Sequence, residues 1–217
     1  GAGTSVVPDL EVHPLSISYS GRRRTDQDDL SLFLSVIRNI PGSSDGGPAA
    51  LGQPGARAGA NPWYTIYRYG ASYLRVLQRD WQVRGGVNGQ HTNDTLISGE
   101  QFGLGGMDSV RGFIEREIAN DRGIRASVEI YTPDLGVGVD QGIRSRALVF
   151  FDHGYVNRVR PLAAELRSET ISSIGLGLRA SYRDNLTMRF DLGSVMQSGG
   201  LQSANDTRLH GSVSMFF

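Results

Sequence analysis

Gln101–Phe113 reads QFGLGGMDSVRGF, and Arg111 is its only cation. A lone arginine in so glycine-rich a run invites a chemical reading. GLGG at Gly103–Gly106 could cradle a phosphate, but no helix pattern follows and no Lys-Ser/Thr completes a P-loop. His13, His91, His153 and His210 lack the spacing of metal ligands and read as surface or interfacial histidines. Asp152 and His153 are adjacent, yet strand neighbours point to opposite faces, which argues against a catalytic dyad. The absence of cysteine excludes disulfides, thiolate metal sites and cysteine nucleophiles. No catalytic group, metal site or cofactor site is expected, which leaves charge pairing as the chemistry open to Arg111.

The elements that must position Arg111 are strands. Gly123–Tyr131 puts Ile124, Ala126, Val128 and Ile130 on one face and Arg125, Ser127 and Glu129 on the other. Before the glycine-rich run, Trp81–Thr92 alternates as regularly. The run therefore lies in a connection of about thirty residues, and structureless connections that long are usually functional or disordered. Seven further segments alternate with period two: Glu11–Gly21, Asp29–Asn39, Trp63–Val76, Ile143–Val156, Glu169–Tyr182, Leu186–Val195 and Leu209–Phe217. Nine such strands predict an antiparallel meander. RRRTDQDD is read as a polar turn, and residues 40–62 as a Gly/Pro/Ala loop too poor in large apolar groups to pack a core of its own.

Composition leaves a soluble sandwich and a membrane barrel both open. The 22 basic residues balance 22 acidic ones, so no net charge points to nucleic acid. No apolar run is long enough for a membrane helix, but spanning strands alternate and escape that test. With Gly1 first and all four methionines internal, the chain reads as a segment of a longer polypeptide or a processed product. Connections after odd-numbered strands are short or moderate and those after even-numbered strands long, the asymmetry of periplasmic turns and external loops. In that orientation Tyr19, Trp81, Tyr182 and Phe217 fall near the inner rim and Trp63 and Tyr155 near the outer one, as aromatic girdles do. These features favour the membrane. Arg22–Arg24 then sit at the periplasmic rim, either touching lipid or a soluble module or simply solvated. Arg84, Arg125, Arg146, Arg179, Arg189 and Asp191 either coat a conduit or hydrate the wall.

QFGLGGMDSVRGF, followed by ERE and EIYTPDLG, resembles the signature of two-partner secretion transporters, the haemolysin-activator family. Its VRGF tetrad (Val110, Arg111, Gly112, Phe113) is shared with the superfamily that includes the barrel-assembly insertase. Glu100–Gly106, with Gly105 and Gly106, is closer to the secretion branch. A second motif, F-x-D-x-G, stands as Phe150, Asp152 and Gly154. The resemblance implies an all-β, antiparallel up-and-down transmembrane β-barrel in the bacterial outer membrane. Residues 1–217 would be its C-terminal part: about nine of sixteen strands, expected to form an open, curved sheet when taken alone, without the periplasmic modules. It implies translocation of a secreted partner such as a haemolysin or adhesin, unfolded in transit, by a protein in contact with outer-membrane lipid. Terminal Phe217 looks like the signal for the barrel-assembly machinery. In the family the loop arginine pairs with the strand aspartate, which carries over as Arg111 to Asp152, with Glu129 and Asp191 as competing partners. Gly112 and Gly154 would permit close approach, and Phe113 and Phe150 would flank the ion pair. Parity supports an inward Asp152, because Ala147 and Val149 take the opposite, lipid-facing face. Rival functions are an insertase, a barrel enzyme such as an omptin-like protease or outer-membrane lipase, and a diffusion porin.

Overall fold

Alternation of this regularity produces one large sheet. The computed structural model describes residues 10–42, 45–51, 57, 59–137, 142–183 and 185–216. Its long strands are β1 (Pro14–Arg24), β2 (Asp28–Asn39), β3 (Thr65–Val76), β4 (Gln82–His91), β7 (Arg122–Tyr131), β8 (Ile143–Asn157), β9 (Ser168–Tyr182), β10 (Leu186–Gln197) and β11 (Thr207–Met215). Between β4 and β7 lie the short β5 (Phe102–Leu104) and β6 (Ile118–Asn120), which pair only with each other. The nine long strands form one antiparallel sheet in chain order, β1 to β4 and then β7 to β11. Among the described residues β1 and β11 do not pair, so they are its two edges.

One face is apolar and unpartnered. Ile17, Leu34, Val128, Leu176, Leu192 and Leu209 all project from it and are exposed, as lipid-facing positions must be. The opposite face is polar. On β1 to β3 it is dressed with hydroxyls, and Ser18 donates to Ser35 at 2.9 Å while Ser31 and Ser72 meet at 2.8 Å. Such cross-strand pairs hold neighbouring strands in register.

Three expectations need correction. β1 runs on through Arg22–Arg24, so RRR is strand and only residues 25–27 turn. Arg22 pairs with Asp29 across that hairpin, and a carboxylate partner keeps the cation within the ladder. Tyr19 consequently sits in mid-strand, away from any rim. The connection carrying Arg111 is not structureless either, because β5 and β6 close it into a hairpin. Leu51 and Ala60 of the Gly/Pro/Ala loop bury against Ile97, so they join a core that they do not make alone, and Tyr64 beyond the loop buries with Ile66 and Leu96. Residues 1–9, much of 52–58, 138–141 and Phe217 lie outside the described residues, so the opening loop and the assembly signal are expectations only.

Candidate functional site

The segment between β4 and β7 does not project beyond the sheet. It folds back against the polar face and buries its own apolar side chains there. Leu104, Val110, Phe113 and Ile118 from the segment join Val156 of β8, Ile171 of β9 and Val195 of β10 in one buried cluster. An apolar core therefore forms on the side of the sheet that is otherwise polar. Glycine makes room for it. A Cβ at Gly154 would lie 2.7 Å from Leu104 Cδ1 and 3.1 Å from Val110 Cγ2. Where the segment turns, Gly105, Gly106 and Gly112 adopt φ values of 101°, 101° and 95°, which side chains other than glycine rarely accept.

Arg111 lies deeper, at 2% exposure, among three carboxylates. Its Nε and Nη2 donate to Asp152 Oδ2 and Oδ1 at 2.7 and 2.8 Å, a bidentate fork. Nη1 donates to Glu129 Oε1 at 2.7 Å and to Asp191 Oδ1 at 3.3 Å. The backbone N–H of Arg111 adds a bond to Asp152 Oδ2 at 3.1 Å. Ser127 Oγ donates to Asp152 Oδ1 at 2.6 Å, and Tyr131 Oη to Glu129 Oε2 at 2.6 Å. The guanidinium also stacks on Phe150, 3.5 Å from the ring centroid.

The three carboxylates do not compete; a guanidinium has enough donors to serve all of them at once. Asp191 is shared further, with Arg179 Nη2 at 2.9 Å and Arg189 Nε at 2.7 Å. Arg189 then reaches back to the segment, to Asp108 Oδ1 at 2.7 Å and the Met107 carbonyl at 2.6 Å. Buried ions are tolerable only when paired and hydrogen-bonded in this way.

Val110 and Phe113 point into the apolar cluster, whereas Arg111 points to the ions, so the tetrad divides its work between two neighbouring environments. Phe150 touches the arginine; Phe113 packs in the cluster instead. Of the charges that alternation placed inward, Arg179, Arg189 and Asp191 belong to this network. Arg146 instead ties the Asp80 carboxylate and the carbonyls of Asp80 and Thr132 at the short-turn end. Arg84 and Arg125 line the same face.

Sequence reading missed several contributors. Gly193 is one: a Cβ there would lie 2.7 Å from Gly112 N and 2.9 Å from the Arg111 carbonyl carbon. Gly175 is another, leaving space for the Phe150 ring. Their inward parity was visible, but the approaching backbone was not. Glu117 of ERE accepts the N–H groups of Ile114, Leu201 and Gln202 at 2.8, 2.6 and 3.1 Å, joining the segment to the β10–β11 connection. Asp121, 0% exposed, takes Arg57 as an ion pair and the N–H groups of Leu96 and Val159 at 2.9 and 2.7 Å. No sequence motif marks it.

Comparison with known proteins places this geometry. The fold resembles CdiB from Escherichia coli, with a TM-score of 0.74 over 94% of this chain and 36% of that one, at 19% identity. The heme/hemopexin transporter protein HuxB of Haemophilus influenzae is 29% identical over 124 residues, in strain 86-028NP and in a second strain alike. That alignment takes in 54% of this chain, and the chain spans about a fifth (21%) of the relative's length. The model of the haemolysin secretion/activation protein family ShlB/FhaC/HecB matches residues 7–180. A match over that much of the sequence, on a sheet of this architecture, means that the chain belongs to the haemolysin secretion/activation family of outer-membrane β-barrel transporters.

Proposed function

We propose that residues 1–217 are the C-terminal part of a barrel translocator domain that carries a secreted partner protein across the outer membrane. The seat of Arg111 is the observation that carries this reading. A buried arginine shared by three carboxylates is an expensive way to fix a surface loop, and a rational way to hold a loop within a channel. In this reading the VRGF loop narrows the lumen at rest and shifts when unfolded partner, such as a haemolysin or adhesin, passes. Gly105, Gly106 and Gly112 shape the loop, Val110 and Phe113 seat it, and Phe150, Asp152 and Gly154 receive it. The apolar outer face meets lipid, and Phe217 addresses the chain to the barrel-assembly machinery. No bond is made or broken, so no catalytic residue, cofactor or metal takes part.

The test is export of a cognate partner by Arg111→Ala and Asp152→Ala transporters that still reach the outer membrane folded. Both are expected to lose most export, and Arg111→Lys to keep part of it. A reciprocal charge swap, attractive for an isolated pair, is expected to fail, because an aspartate at position 111 would face Glu129 and Asp191. Normal export by both alanine variants, with loop order unchanged, would sink the proposal.

A further inference from the structure

His210 belongs to no motif. It lies on β11 directly across from Asp191, and its ring reaches the tip of the loop. The tip offers two successive backbone N–H groups. That of Arg111 goes to Asp152 on β8, and that of Gly112 goes to His210 Nε2 at 3.1 Å. Gly112 meanwhile lies against Gly193 of β10. The loop tip is thus gripped from β8, β10 and β11 together, and the third grip is an imidazole nitrogen.

An amide nitrogen can only donate, so Nε2 must accept. Neutral imidazole has one accepting nitrogen; imidazolium has none. The contact with Gly112 therefore requires the neutral ring with its proton on Nδ1. Among the described residues the charged groups around the ring are Asp191 and Arg189 from β10, Arg208 from β11 and Arg111 from the loop. Asp191 is the one anion among them, and it already serves Arg111, Arg179 and Arg189. A proton on His210 would remove the acceptor of Gly112 and set a further cation among three arginines.

We infer that His210 is a positioning residue for the VRGF loop, whose neutral ring pins the loop tip and whose protonation releases it. This rests on the reading that the loop is held in the lumen, and it adds to that reading a condition on pH. Because the neutral form is the one that binds, this anchor is complete at pH well above the histidine's titration and is lost as pH falls through it. Arg111 keeps its charge throughout, so acid loosens the tip without dissolving the whole seat.

The chain contains no cysteine, which permits a nitroxide label at Met107→Cys, five residues before Gly112 and on the lumen side. Electron paramagnetic resonance of the intact transporter in outer-membrane vesicles would be followed from about pH 8 to about pH 5, across the ordinary histidine value of ~6.5. With His210 native, the mobile component of the spectrum is expected to grow several-fold on acidification. His210→Gln, whose side-chain oxygen accepts at every pH, should keep the label immobile throughout; His210→Ala should leave it mobile throughout. A native spectrum that ignores pH, a glutamine variant that follows the native response, or an alanine variant as immobile as the native protein would each overturn the inference. Heat-shifted gel migration verifies folding, and should His210→Ala fail to fold, glutamine against native still decides. Loop mobility is read separately from export, so failure here leaves the Arg111 anchor to its own test.

Discussion

The wall from β7 to β10 and the wall from β1 to β3 follow the same alternation, yet their inner faces have different fates. On β7 to β10 that face is covered: Glu129, Asp152, Ser173 and Asp191 are buried there although every one is polar. On β1 to β3 the corresponding face carries Ser16, Ser18, Ser20, Phe33 and Ser72, and most of it stays open to solvent. The difference lies in what a single connection brings. The segment between β4 and β7 supplies four apolar side chains and one arginine to its half of the sheet. Period-two patterning thus tells which side chains face inward, and says nothing about whether anything lies on them.

Paired substitutions can break or sharpen this contrast. The largest difference is expected between two phenylalanines. Phe113→Ala empties a fully buried site and should cost the folded transporter about 3–5 kcal/mol in denaturant titrations. Phe33→Ala, on the open half, should cost under about 1.5 kcal/mol. Equal losses would mean that the two faces are equally packed and the contrast is false. Next come two inward glycines. Gly193→Ala forces a methyl group onto the backbone of Arg111 and Gly112 and should destabilise by about 1–3 kcal/mol, with a faster-proteolysed loop. Gly86→Ala meets nothing closer than 4.0 Å and should be silent in both assays. The smallest effect is expected for Arg22→Ala. Its ion pair with Asp29 stands in solvent, so thermal unfolding and loop proteolysis should both match the native protein. A clear shift would show that the open half is braced at its rim.

These contrasts also mark what could be read from sequence. All nine long strands were legible, because ten or so residues of alternation outweigh any local ambiguity. Their ends were less so: Arg22–Arg24 look like a turn until Asp29 is placed opposite them. β5 and β6 were not legible at all, since three residues carry no periodicity. At the site, the two motifs singled out Arg111 and Asp152, and parity put Glu129 and Asp191 on the same face. That one guanidinium could serve all three carboxylates depended on distances no pattern encodes. Gly193, Asp121 and His210 were invisible for a related reason. Gly193 and His210 owe their roles to backbone atoms of a distant segment, and Asp121 to such atoms together with Arg57; backbone atoms leave no signature in the residue that meets them.

The gathering of so many short contacts around one side chain has a mechanical consequence. Hydrogen bonds of 2.7–3.3 Å and a ring stack at 3.5 Å all weaken within the first ångström or two of withdrawal. Close-packed seats of this kind have discrete arrangements and resist gradual deformation. A partly withdrawn Arg111 would leave Asp152 and Glu129 short of their cation before water replaces it, while Asp191 keeps Arg179 and Arg189. The Arg111 side chain should therefore behave as a snap fastener, fully seated or fully released, and its withdrawal should appear as one sharp rupture in a force–extension curve.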